Sequence, residues 1–247
     1  KILIFLYVNL IQFIKMYFFF SKIQADTLIV VNVGYPGGET SRLSNIIWKI
    51  LGRKNNFHNL HNLAVFPRRL SEKLYESVVD YFLEKTVDKF ICVSKVSKIF
   101  LEKRKIYKNS RKILSIYNGL KKPIKNNLDL KKKLSIPKNS QLCLVIASYE
   151  PRKGHTFLID TFNIVNKTIK NLHLVFIGDL NDFHLQYFNN LKQSKSTNIH
   201  FLKFIPNAAG LIKQSDILLL GSQEYESFGL VALEGMIQKV PIVATNI

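Results

Sequence analysis

Two glutamates, Glu226 and Glu234, stand with seven residues between them in the run Glu226-Ser-Phe-Gly-Leu-Val-Ala-Leu-Glu234. The spacing of Leu230, Leu233 and Ile237 predicts a helix from about Phe228, capped by Ser227, with those three residues as its buried face. Glu226 then stands at the helix mouth and Glu234 about two turns in. A carboxylate at such a mouth suits a sugar hydroxyl or a developing positive charge. One further along can accept hydrogen bonds from ribose hydroxyls. Two solvated glutamates, one of them favouring the helix dipole, have the same spacing.

A second polar segment, Ser148-Tyr-Glu-Pro-Arg-Lys-Gly154, follows an apolar run. Arg152 and Lys153 at a strand's carboxyl edge, beside a helix N-terminus, would hold a diphosphate. An ordinary solvated basic turn explains the segment equally well by itself. Other candidates are weaker. The Gly34-Tyr-Pro-Gly-Gly38 run suits a phosphate or sugar loop, and also a plain turn. Gly178-Asp179 either borders a base pocket or ends a strand. His58, His155, His173, His184 and His200 show no metal-ligand spacing, so no metal site is expected.

These residues need elements to place them, and the sequence alternates strand and helix. Residues 27–33 form a continuous apolar run, as in a strand buried on both faces. Residues 40–51 have helical periodicity, 57–61 form a weak strand, and 68–85 a long helix. Then come a strand at 89–93, a helix at 95–104 and a strand at 113–117. Residues 121–140, rich in Lys, Asn and Pro, predict a linker with one short helix. Strands are expected again at 142–147, 172–177, 199–202, 216–220 and 240–244. The helix after the first of these places Phe157, Leu158, Thr161, Phe162 and Val165 on one face. Alternation of this kind gives parallel sheets, because a parallel pair requires a crossover. With no covering helix after the last strand and no initiating Met, a chain incomplete at both ends is expected.

The formal net charge of +19 invites a polyanionic partner. Its lysines are scattered (Lys15, Lys49, Lys85, Lys112, Lys131, Lys167, Lys192), not gathered into a stripe with aromatics, so nucleic acid is not expected. Coding bias toward Lys, Asn, Ile and Phe accounts for part of the excess, and an anionic membrane surface is the next reading. Residues 1–20 are apolar and aromatic, but Asn9, Gln12 and Lys15 interrupt them. They suit a core or membrane-facing helix better than a span. Cys92 and Cys143 sit in apolar runs, as reduced core thiols in a reducing compartment do. The expected localisation is cytoplasmic, peripheral to the inner face of a membrane.

The Glu226–Glu234 run resembles the paired-glutamate motif of retaining glycosyltransferase family 4 (glycosyl transferases group 1), and Val240-Pro-Ile-Val-Ala-Thr-Asn246 resembles the strand that follows it there. Ser148 to Gly154 is similar to that family's diphosphate loop. Val93-Ser94, Ile116-Tyr-Asn118-Gly119, Asn32 to Gly38 and His61-Asn62 are similar to further family segments, in order. The resemblance implies an α/β fold called GT-B, with two Rossmann-like doubly wound domains facing across a cleft. The division expected is an acceptor-side domain at 1–120, a linker at 121–140, and a nucleotide-sugar domain at 141–247.

It also implies metal-independent transfer, with no cofactor, from a nucleotide-diphosphate sugar to a saccharide or lipid-linked acceptor with retained configuration. Catalytic roles fall to Glu226 and His61. Donor contacts fall to Arg152, Lys153, Phe228, Gly229, Leu230 and Glu234, and cleft-lining positions to Gly34, Asn118, Ser148 and Gly178. Ser148 departs from the Arg common there, which puts Arg152 forward as a second cation. Gly235 replaces the usual Ala, and Lys239 a common Gly. A nucleotide-sugar epimerase of the same fold and an inactive nucleotide-binding fragment are the alternatives.

Overall fold

The structure, a computed structural model, describes residues 2–193 and 196–247. Lys1 and the side chains of residues 2–6, part of the predicted apolar helix, lie outside the described residues. Two compact units are present, Lys1–Asn118 and Gly119–Ile247.

The first unit runs α1 (Ile2–Ser21), β1 (Leu28–Asn32), α2 (Glu39–Ile50), β2 (Asn56–Leu60), α3 (Leu70–Thr86), β3 (Lys89–Cys92), α4 (Lys95–Glu102) and β4 (Ile113–Ser115). Its sheet is parallel in the order β1-β2-β3-β4. Each strand adds on the same side of the last, so right-handed crossovers put α2, α3 and α4 on one face. Val30, His58, Phe90 and Ile113 lie in register across the sheet and are buried. The apolar run at 27–33 predicts burial on both faces. Instead β1 is an edge strand whose Ile29 and Val31 are 57% and 63% exposed, because the helices cover only one side.

A buried polar network ties these helices together. The Arg42 guanidinium donates to both Glu76 oxygens, at 3.0 and 2.8 Å. Arg104 donates to Glu76 at 2.9 Å and to Asp80 at 2.8 Å. The Tyr35 hydroxyl donates to Asp80 and meets the Tyr107 hydroxyl at 2.7 Å. The Gly34–Gly38 turn thereby carries Tyr35 into the core. Gly37, at φ +67°, passes so close to the Asn32 side chain that a Cβ would lie 2.0 Å from its Nδ2. His58 Nδ1 contacts Asn45 Oδ1 at 2.5 Å, while its Nε2 is buried without a partner among the described residues. Burial, with the Arg42 charge adding, pushes this imidazole down to about 4.

The second unit runs α5 (Leu130–Lys133), β5 (Gln141–Ile146), α6 (His155–Val165), β6 (Leu172–Ile177), α7 (Leu185–Leu191), β7 (Ile199–Leu202), β8 (Ile217–Leu220), α8 (Leu230–Ile237) and β9 (Ile242–Ala244). The parallel order is β7-β6-β5-β8-β9. Both faces of this sheet are covered. Cys143, Val145, Leu174 and Phe176 pack under α6 and α7. Leu142, Leu144, Val175 and Ile177 pack on the other face with Leu211, Ile212, Leu130 and Ile136. The stretch 121–140 thus gives Leu130 and Ile136 to this core, with Leu128 and Leu134 packed against it.

Two helix faces differ from the periodicity. In α6 the buried residues are His155, Leu158, Ile159 and Phe162, while Phe157 and Val165 are exposed. The fully buried His155 at the first position sets that rotation; burial pushes its imidazole down to about 4. The last helix starts at Leu230 with Gly229 as its cap, not at Phe228 with Ser227. Leu230 and Ile237 are exposed, and Gly235 faces the sheet, where a Cβ would lie 2.7 Å from Leu218 Cδ2 and 3.0 Å from Ile242 Cδ1. Val231 packs beside it. Both cysteines are free and buried, and burial raises the thiols, Cys92 to about 12 and Cys143 to about 11.

Removing one partner from the buried ion network leaves an uncompensated charge, so Arg104→Ala is expected to cost about 3–5 kcal/mol in urea unfolding. For the histidines the folded chain keeps His58 and His155 neutral down to about pH 4, whereas an unfolded imidazole protonates near 6.5. The unfolded state binds more protons across that interval, so stability falls as pH drops from about 6.5 toward 4. A urea midpoint measured from pH 7 to 4.5 should decline, and less steeply in His155→Phe.

Candidate functional site

β5 is the strand from which the second sheet grows both ways, through β6 and β7 on one side and β8 and β9 on the other. In such a sheet the segments leaving β5 and β8 part to opposite faces and open a crevice at the strands' carboxyl ends. The loops at those two ends are residues 147–154 and 221–229.

Backbone contacts lock the two loops together. The Gln223 N–H donates to Arg152 O at 2.8 Å. Gly154 stands at φ +69°, and a Cβ there would lie 1.9 Å from Gly221 O. Gly221 in turn rests on Leu158. Only glycine allows so close an approach in that conformation.

Four charges then meet in two pairs. Lys153 Nζ donates to Glu226 Oε2 at 2.7 Å, and Ser222 Oγ donates to the same oxygen at 3.2 Å. Their side chains are 17% and 31% exposed, so the pair faces an opening and is not sealed in the core. Beside it, Arg152 donates through Nε and Nη2 to the two Glu150 oxygens at 3.0 and 2.8 Å. The Ser148 hydroxyl donates to that same carboxylate. The guanidinium lies over the Tyr225 ring, 5.1 Å from its centroid. Burial works against the Glu150 charge, but the Ser148 hydroxyl and Arg152 outweigh it and hold the carboxyl below the ordinary glutamate value. Arg152 and Ser148 therefore converge on one anchor, the Glu150 carboxylate.

Gly229, at φ +76°, starts α8 against Glu226, whose Cγ lies 3.7 Å from a Cβ built on the glycine. The first N–H groups of a helix have no intrahelical acceptor. Leu230 opens α8, and Glu234 follows one turn later on the same side. Burial raises the Glu234 carboxyl. Among the described residues Glu234 makes no ion pair. Gly178, after β6, backs the first loop: a Cβ there would lie 1.9 Å from Ala147 O.

In the first unit, His61 follows β2 and is exposed. Its N–H donates to Asn32 O at 3.0 Å, and its Nε2 lies 3.2 Å from Asn59 Nδ2. Gly34, after β1, is adjacent to Asn62, with 3.7 Å between a built Cβ and the Asn62 Cβ. Asn118 is half-buried beyond β4. Glu150, Ser222 and Tyr225 were not among the residues expected from sequence. For Glu150 a signal existed, an acid two residues before Arg152 in the same turn. Ser222 and Tyr225 become visible only once the two loops meet.

Residues 126–247 match the family model for glycosyl transferases group 1. An uncharacterized glycosyltransferase of Methanocaldococcus jannaschii is 29% identical over 162 residues, 65% of this chain and 40% of that protein. N-acetyl-alpha-D-glucosaminyl L-malate synthase of Bacillus anthracis is 28% identical over 151 residues, 59% of this chain and 39% of that protein. The matches thus span about two fifths of the curated relatives' length. Among solved structures, Anabaena Alr3699/HepE in complex with UDP and glucose superposes with a TM-score of 0.70 at 19% identity, covering 87% of this chain and 58% of that one. A glycosyltransferase from Rickettsia africae gives 0.68 at 22%, covering 98% and 63%. These likenesses show the fold, the paired Rossmann-like architecture of GT-B glycosyltransferases.

Gly154→Ala forces a side chain into Gly221 and a left-handed backbone together. It should lower stability by about 1–3 kcal/mol in urea unfolding, the range for such strain.

Proposed function

We propose, for a chain whose residues 126–247 belong to the glycosyl transferases group 1 family, that it transfers a sugar from a nucleotide-diphosphate donor to a glycan or lipid-linked acceptor with retained configuration, on the inner side of a membrane. The observation that carries this reading is the meeting of Lys153 with Glu226 at the carboxyl ends of β5 and β8. Breaking the donor's glycosidic bond builds negative charge on the diphosphate and positive charge on the sugar. Lys153, Arg152 and the N–H groups opening α8 suit the first, and the Glu226 carboxylate the second.

In the ligand-free chain each cation is already neutralised by its own carboxylate. A diphosphate reaching Lys153 competes with Glu226 for it, and the displaced carboxylate is then released toward the sugar. Donor binding and placement of Glu226 become one event. Glu234 is assigned to the ribose hydroxyls and His61 to the donor sugar. The cationic side chains supply the diphosphate's countercharge, so the transfer is metal-independent.

Calorimetric titration with UDP, GDP and ADP, and turnover of the matching nucleotide sugars, test the reading. Lys153→Ala should weaken binding of the preferred nucleotide at least tenfold. Glu226→Gln should bind it as tightly as the parent or tighter, because a competitor for Lys153 is gone, yet transfer no sugar. EDTA should leave turnover unchanged, and the product's anomeric signal should match the donor's. Epimer formation without acceptor would point to the epimerase, and nucleotide affinity without turnover to a binding module.

A further inference from the structure

The outward face of α3 combines a stripe of large exposed apolar side chains with exposed cations. Leu70, Leu74, Val78, Tyr81 and Phe82 recur at helical spacing, within an arc of about 120° at 100° per residue. They are 74%, 65%, 55%, 51% and 49% exposed. A soluble surface rarely gathers so many large apolar side chains in one stripe.

Of the acids of α3, two are turned inward, Glu72 lies on the opposite side of the helix, and Glu84 lies about 40° outside the arc at 100° per residue. Glu76 and Asp80 are buried in ion pairs with Arg42 and Arg104. Glu84 is half-buried near Lys112, and Glu72 caps the helix start beside Arg69. The cations are turned outward: Lys85 lies within the arc, Lys73 at its flank, and Arg68 at its N-terminal end, all exposed. Next to the stripe, a cavity of about 400 Å³ is lined by Lys73, Ser77, Lys103 and Lys105 and by the arginine-paired carboxylates Glu76 and Asp80, among others.

We infer that this face of α3 docks on a bilayer containing anionic phospholipid, with the apolar stripe entering the acyl boundary and Lys73, Lys103 and Lys105 receiving headgroup phosphates. An apolar strip rimmed by lysine and arginine is the arrangement by which an interfacial helix holds such a surface. The chain's excess of +19 favours the approach. The helix at residues 2–21, where the sequence puts the membrane contact, also exposes Tyr7, Leu10, Ile14 and Phe18, but its one charge is Lys15. Among the described residues no helix is long and apolar enough to cross a membrane. The inference gives the proposed membrane-side reading a surface, and rests on that reading only for its biological purpose.

Flotation with phosphatidylcholine vesicles, with or without three parts in ten phosphatidylglycerol, tests it on the intact chain. Binding to the anionic vesicles should exceed binding to the neutral ones at least tenfold. Leu74→Glu with Val78→Glu, both at exposed positions, should lower it at least tenfold with an unchanged circular dichroism spectrum. Lys73→Glu, Lys103→Glu and Lys105→Glu together should lower it similarly and remove its salt dependence. A parent chain that stays off anionic vesicles, or a Leu74/Val78 variant that binds like the parent, overturns the inference. So does a parent dimer in sedimentation that the same variant dissociates while vesicles go unbound, which would assign the stripe to a second copy. Nucleotide titrations of the same variants should match the parent, so failure of the donor site and failure of the docking face are read separately.

Discussion

The second unit is organised around the reversal of strand order at β5. Every charged contact of the candidate site follows from it: the strand's own loop supplies Glu150, Arg152 and Lys153, and the loop after β8 supplies Ser222, Tyr225 and Glu226. Because β5 and β8 are hydrogen-bonded neighbours, residues 73 apart in sequence come to 2.7 Å. Gly154 and Gly221 make this possible at the backbone level, by letting the two loops touch without side chains between them.

The two ion pairs at that meeting are partly exposed. Partly exposed ion pairs gain little in net stability, since water competes for both partners. The Lys153–Glu226 pair therefore keeps its cation in place without holding it strongly. In the proposed transfer, a diphosphate, with more charge and more acceptor oxygens than one carboxylate, takes over the cation that Glu226 positions. Glu150 has a different part, because it grips Arg152 through two bonds and anchors Ser148 as well. It fixes where the second cation stands.

The first unit handles charge in the opposite way. Arg42, Arg104, Glu76 and Asp80 are paired deep inside, where removal of one is expensive, and that network joins the turn after β1 to α2, α3 and the segment around Arg104 and Tyr107. Drawing Glu76 and Asp80 inward leaves much of the outer surface of α3 to apolar residues and the exposed Lys73 and Lys85. Internal ion pairing and the character of the exposed face are thus two sides of one helix.

The amino-acid order by itself determined the alternation of strands and helices, the parallel sheets and the polar loops after β5 and β8, because these depend on periodicity and on residues close in the chain. That Ser148, Glu150 and Arg152 lie in one polar turn was also legible there, since they are close in the chain. It could not determine which side of β1 is bare, because that depends on the direction in which successive crossovers step. Nor could it determine the rotation of α6, which a buried His155 sets, or the start of α8 at Gly229. Only the tertiary structure decided that Lys153 and Glu226 share a contact and that the Arg152 guanidinium lies over the Tyr225 ring. Those are distances across loops, and a linear spacing carries no information about them until the sheet's strand order brings the loops together.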